Sequence, residues 1–141
     1  MLVKQLLDQK GRAVTSIAPE ASVYAAVALM AEKGIGAVLV LEQGCIAGVL
    51  SERDYARKVI LQDRSSKTTT VREIMSTRVV TGRETQTVSE CMALMTDKRI
   101  RHLPIMDGDT LCGMISIGDL VKAIIADQQF VISQLENYIN G

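Results

Sequence analysis

The sequence predicts a mixed α/β (α+β) fold: two β-α-β-β-α units packed sheet against sheet with pseudo-two-fold symmetry. Three observations point there. The chain has 141 residues, 48% of them apolar, which is room for one small domain or two very small units sharing a core. It also repeats itself. Sliding it by 65 positions lays Val23–Ile35 on Val88–Ile100 and Gly48–Asp54 on Gly113–Asp119 without a gap. Between Val23 and Ile60, 10 of 38 aligned positions are identical, and most others are conservative, such as Glu32 with Asp97 and Val59 with Ile124. Finally, a three-stranded sheet with helices on one face leaves apolar surface bare at this size, and a second copy covers it.

The elements follow in order. Short helices near Val3–Leu7 and Val71–Met75 precede the first strands, Ala13–Ile17 and Arg78–Thr81. Turns at Pro19-Glu20 and Glu84-Thr85 lead into helices with apolar residues at helical spacing: Val23, Val27, Met30 in one copy and Val88, Met92, Met95 in the other. Thr87 with Glu90 is a capping box for the second of these, and Gly34 is a helix C-cap for the first. Paired strands come next, Ala37–Leu41 with Ile46–Leu50 and Leu103–Met106 with Leu111–Ile115. Glu42-Gln43-Gly44 and Asp107-Gly108-Asp109 supply the hairpin turns. A last helix starts at Ser51 or Ser116. The polar stretch Gln62–Thr70 reads as a linker, which divides the chain into repeats 1–66 and 67–141. The tail from Ile124 to Ile139 reads as a continued amphipathic helix carrying Phe130, Val131, Ile132 and Leu135.

Composition removes several functions. Lys plus Arg and Asp plus Glu both number 16, and there is no Trp, one Phe and three Tyr, a poor set for nucleic acid. The apolar runs Ala25–Ala31 and Ala37–Leu41 fall far short of the roughly 20 residues of a membrane span. The first eight residues are amphipathic and include Asp8, unlike an export signal, so a cytoplasmic location is expected. Cys45, Cys91 and Cys112 are then free thiols, with no spacing for a disulfide framework or zinc. Cys91 and Cys112 are expected in the core and Cys45 in a turn, without the cations that activate a thiolate. The seven Met residues fall at apolar positions and read as packing.

The chemistry concentrates in a repeated Gly-apolar-apolar-Ser-x-x-Asp, Gly48–Asp54 and Gly113–Asp119. Each copy sets a Ser and an Asp where a strand ends and a helix opens, a place with free N–H groups that suits an anion. An Asp there can also accept from both hydroxyls of a ribose. The same pattern is equally a capping box, useful to any helix. Gly34-Ile35-Gly36 is not a dinucleotide fingerprint, since Leu39 stands at the third glycine position and the segment joins helix to strand. His102, the one histidine, is divided between lining a polar cleft and a structural role. The cations Arg53, Arg57, Lys58, Arg64 and Lys67, interrupted by Asp54 and Asp63, read as a solvated face.

These motifs, with Val71-Arg72-Glu73-Ile74-Met75 and Arg101-His102-Leu103-Pro104-Ile105, closely resemble the cystathionine-β-synthase (CBS) domain, over about Ala13–Ile60 and Val71–Ile125. The family nearly always occurs as tandem pairs. The resemblance implies a cleft between the repeats with up to two sites for adenosine compounds: AMP, ADP, ATP, NAD(H) or S-adenosylmethionine. On that pattern Asp119 and Asp54 would hold ribose hydroxyls, with Ser116 and Ser51 near the phosphates or sugar. Ser16, Ile17, Thr81, Ile35, Gly36, Ala37, Ile100, Arg101 and His102 would wall the adenine, and Met114 and Val49 would flank it. Arg53, Arg101 and His102 would supply charge to a phosphate. The family often has Ser or Thr just before the Asp, where this chain has Arg53 and Gly118. The expected function is a non-enzymatic sensor of an adenine nucleotide (AMP, ATP or NAD(H)), because no nucleophile–base or metal-ligand set is evident. The alternative is a ligand-independent interaction module that recruits a partner enzyme or channel. Such modules typically dimerise through their helices, so a homodimer is expected, acting on an effector protein outside the chain.

Overall fold

A computed structural model describes residues Met1–Asn140. The elements are α1 (Val3–Lys10), β1 (Ser16–Ile17), α2 (Val23–Lys33), β2 (Ala37–Glu42), β3 (Cys45–Ser51), α3 (Glu52–Tyr55), α4 (Val71–Ile74), β4 (Gly82–Arg83), α5 (Val88–Lys98), β5 (His102–Asp107), β6 (Thr110–Ser116) and α6 (Ile117–Asn140). After α3 the chain widens into a π-helical turn, Ala56–Ile60. There are two three-stranded sheets, ordered β1-β2-β3 and β4-β5-β6. In each, a two-residue strand pairs parallel with the middle strand, which pairs antiparallel with the third. The mixed α+β class with two three-stranded sheets is therefore as the repeat requires.

The chain forms two compact units: Val14–Val79, and a discontinuous unit of Met1–Ala13 with the chain from Val80 on. The repeats 1–66 and 67–141 describe order along the chain, and the units regroup it. Each leading helix packs on the other copy's strands. In the discontinuous unit, Leu2 pairs with Thr87, and the N–H groups of Val3 and Val88 donate to the carbonyls of Gln86 and Met1, both at 2.9 Å. In the Val14–Val79 unit, Ser22 pairs with Thr70, and the N–H groups of Val71 and Arg72 donate to Ala21 and Pro19, both at 2.9 Å. The apolar faces explain the attachment: Val3, Leu6 and Leu7 join one core, with Met95, Leu103, Ile105 and Ile115. Val71 and Ile74 join the other, with Met30, Val38, Val40 and Leu50.

Two glycines admit α1 and the residues that follow α4. A Cβ on Gly113 would stand 2.8 Å from a methyl of Leu7, and one on Gly48 would stand 2.7 Å from the backbone oxygen of Ser76. Beside Gly48, Val49 and Ser76 exchange two backbone hydrogen bonds of 2.9 Å, a short edge contact on β3.

Most predicted elements stand where their patterns put them, including the Thr87–Glu90 capping box and the left-handed Gly34 cap. Three differ. The first strand of the second copy lies at Gly82–Arg83 rather than Arg78–Thr81, because pairing with β5 begins only at Gly82 opposite Ile105. Gln62–Thr70 is no loose tether. Thr69 is buried, its hydroxyl donates to Ser65 at 2.7 Å, and the carbonyls of Ser66 and Thr69 take the N–H groups that open α2. Cys112 is only half-buried on β6, whereas Cys91 is in the core and Cys45 is exposed. Burial raises the thiol pKa of both Cys91 and Cys112, which keeps them protonated.

Candidate functional site

The repeated Gly–Ser–Asp signature builds the same corner twice. In the discontinuous unit, β6 ends at Ser116, opposite His102 on β5, and Met114 stands opposite Pro104. The chain then turns into α6, and the Ile117 N–H donates to the Arg101 carbonyl at 2.9 Å. Asp119 closes the corner. Its Oδ2 accepts the Ser116 N–H at 2.8 Å, while its own N–H donates to Ser116 Oγ at 3.1 Å. In the Val14–Val79 unit, Ser51 stands opposite Ala37, Val49 opposite Leu39, and the Glu52 N–H donates to the Gly36 carbonyl at 3.0 Å. Asp54 Oδ2 accepts both the N–H (2.9 Å) and the hydroxyl (3.0 Å) of Ser51, and the Asp54 N–H donates to Ser51 Oγ at 3.2 Å. Capping, the alternative reading of these residues, is thus realised in both copies.

Each carboxylate also meets a lysine that sequence reasoning missed. Lys10 Nζ, at the end of α1, donates to Asp119 Oδ2 and to the Met114 carbonyl, both at 2.6 Å. At the other corner Lys58 Nζ lies 3.3 Å from Asp54 Oδ1 and donates to the Ile74 carbonyl at 2.9 Å. Lys58 sits four residues after Asp54 and was readable from helical spacing. Lys10 lies 109 residues from Asp119, and no local pattern announces it. Burial pushes the Asp119 carboxyl up, but hydrogen bonds from Lys10 and Ser116 outweigh it, and the net shift is below the usual carboxylate value. The side chains of Asp119 and Asp54 remain 21% and 17% exposed.

The other expected residues fall around these corners unevenly. Gly36 and Ala37 adjoin Ser51, and Arg101 and His102 adjoin Ser116, through the pairings above. Ile35 and Ile100 stand just before them, each donating its N–H back to the end of its helix, at Met30 and Met95. Ser16 and Ile17 are one strand further away, across β2. Thr81 is exposed ahead of β4, and Arg53 and Arg101 are exposed. The basic run is partly engaged rather than simply solvated: besides Lys58, Arg64 pairs with Glu73 at 2.7 Å and Lys67 lies over the Tyr24 ring at 5.3 Å. A depression of about 350 Å³ beside the β2–β3 turn, lined by Glu42, Gln43, Cys45, Ile46 and Ala47, contains none of the expected ligand residues. Among the described residues no three His, Cys, Asp or Glu side chains gather as a metal site, and no helix is long and apolar enough to cross a membrane.

Comparison with known proteins agrees with the repeat. A family model described as the CBS domain matches residues 9–61 and again 71–126. The mitochondrial CBS domain-containing protein CBSX3 of Arabidopsis thaliana is 42% identical over 125 residues, which are 85% of this chain and 61% of that protein; this chain thus spans about three fifths of that relative's length. A solved structure of a protein with CBS domains from Burkholderia ambifaria MC40-6 superposes with a TM-score of 0.87 at 54% identity, covering 91% of this chain and 96% of that one. More distantly, at 21% identity and a TM-score of 0.80, the fold matches the CBS domain pair of MJ0100, solved in complex with 5′-methylthioadenosine and S-adenosyl-L-methionine; it covers 90% of this chain and 98% of that one. Both halves fit the family model, and the likeness to the Burkholderia structure runs nearly end to end, so this chain belongs to the CBS domain family as a tandem pair of CBS domains.

Proposed function

We propose that this chain is a non-catalytic regulatory module that binds an adenosine-containing ligand, AMP, ATP or NAD(H), at its strand-to-helix corners and works as a homodimer. The observation that carries the reading is the duplicated corner itself. In each unit a part-exposed carboxylate sits at a helix start, accepting the N–H of the Ser three residues before it. A carboxylate so placed accepts from the hydroxyls of a ribose. The MJ0100 pair, found with adenosyl compounds, supports the choice of adenosine as the common ligand part. The residues assigned to the ligand are Asp119, Ser116 and Met114 in one unit, and Asp54, Ser51 and Val49 in the other. Arg53, Arg101 and His102 are the candidates for phosphate.

A second reading has one observation behind it. Lysines already neutralise both carboxylates, as an interaction module with no ligand to bind would need. A thermal-shift panel of AMP, ADP, ATP, NAD+, NADH and S-adenosylmethionine separates the two. A ligand at about 100 times its dissociation constant adds about 2.7 kcal/mol to stability. Under the proposal one of these nucleotides raises the melting temperature, and Asp119→Ala or Asp54→Ala removes the rise. A flat panel with the wild-type protein transfers the reading to the interaction module.

A further inference from the structure

The helix α6 is 24 residues long, yet its buried residues, Leu120 and Ala123, both lie in its first two turns. The family match stops at residue 126, and the helix continues to Asn140. Near that boundary the N-terminal amino group of Met1 approaches Asp127 at 3.9 Å. Past it the helix carries large apolar side chains in the open, Ile132 (54% exposed), Leu135 (56%) and Tyr138 (87%) on one side and Phe130 (63%) on the other. A lone helical segment of this length is marginal in water, and an apolar face on it calls for a cover.

The spacing tells what kind of cover fits. Val121, Gln128 and Leu135 are seven apart; so are Ile125, Ile132 and Ile139, and so are Val131 and Tyr138. These columns are adjacent on a helix and form one stripe with the period of a two-helix seam. From Ala126 to Asn140 the only charges are Asp127 and Glu136, with no Lys, Arg or His. An anionic membrane surface or a nucleic acid thus finds nothing cationic to hold. Both acids lie off the stripe, so two identical helices meet along it without like-charge repulsion. The stripe offers on the order of 800 Å², what one partner of a stable dimer buries. Its single polar member, Gln128, has an amide that both donates and accepts, and so pairs with its own copy in a parallel, in-register arrangement.

We propose that α6 beyond residue 126 pairs with the same segment of a second copy of this chain, as a parallel helical pair in register at Gln128. The inference rests on the homodimer reading above and adds the segment and register that hold the dimer. Ile132→Asp with Leu135→Asp tests it on the full chain by sedimentation equilibrium at micromolar concentration; both sites are exposed, so the fold is retained and a circular dichroism melt checks it. The expected result is a wild-type dimer whose dissociation constant rises about 100-fold or more in the double variant. Gln128→Cys in a Cys45→Ser background should then oxidise to a covalent dimer, because facing positions of a parallel pair are within disulfide reach. A wild-type monomer overturns both this inference and the homodimer reading, and the same monomer sedimenting with neutral phosphatidylcholine vesicles reassigns the face to lipid. A dimer that survives the double variant and does not cross-link at residue 128 overturns the inference alone and leaves the homodimer standing.

Discussion

The two aspartate corners share one backbone plan and differ in who supplies the counter-charge. At Asp54 the lysine comes from the same helical stretch, one turn later, and also ties down the end of α4. At Asp119 it comes from α1, the leading helix, and its second bond is to β6 of the corner itself. The position equivalent to Lys58 in the second copy is Ala123, which faces the core instead. Duplication has kept what the backbone needs, a Ser and an Asp that cap the helix, while the charge around each carboxylate diverged. The following helix diverged too: one copy ends after Ile60, and the other runs to Asn140 as α6.

The largest expected asymmetry is at the glycines under the leading helices. Gly48→Ala drives a methyl into the Ser76 backbone oxygen, which does not yield without moving the edge contact on β3, and against the flexible side chain of Met75. Gly113→Ala meets only side-chain atoms, the methyl end of Leu7, and no backbone. Urea unfolding should show about 1–3 kcal/mol lost at Gly48 and less at Gly113. Equal losses would mean that the two attachments are equally rigid.

A smaller contrast lies at the helix ends before the middle strands. Gly34 closes α2 at φ 64°, and Arg99 closes α5 at φ 54°, the same left-handed cap with and without a side chain. Gly34→Ala should cost about 1 kcal/mol, and Arg99→Gly should add about 0.5–1 kcal/mol. Thermal melts of the two variants read both signs. A destabilised Arg99→Gly would show that the arginine side chain contributes more than its backbone strain costs.

The smallest effect concerns acid. A carboxyl whose folded pKa lies below its unfolded value adds stability above the unfolded pKa, about 3.9, and loses it as pH falls through the folded value. Asp119 is such a group. Melting temperatures taken from pH 6 down to about pH 3 should fall less steeply in Lys10→Met than in the wild type, with about 0.5 kcal/mol lost at neutral pH for a partly exposed ion pair. Parallel curves for the two proteins would remove Lys10 as the cause of the depression.

Much of this was legible in sequence because it is local. A period-3.6 run, a Thr three residues ahead of a Glu, and a Gly at the turn of a hairpin act over a few residues, so each leaves its mark where it acts. The repeat added a longer rule, since identical segments must form similar units. The weaker signals were the short strands: β4 has only two residues, and nothing in Arg78–Thr81 distinguishes extended chain that pairs from extended chain that does not. Gln62–Thr70 looked like a tether because its residues are polar, yet polar residues are also what satisfy the open N–H groups of α2.

By itself, then, the sequence determined the duplicated mixed fold, its capped helices and the Ser–Asp pairs at two corners, since backbone preference and local side-chain reach suffice for those. The tertiary structure decided the rest. It set which strands each leading helix packs on, brought Lys10 across 109 residues to Asp119, and left α6 beyond residue 126 without a core beneath it. Those outcomes depend on where distant apolar faces and charges can be buried or paired, and no window along the chain contains that information.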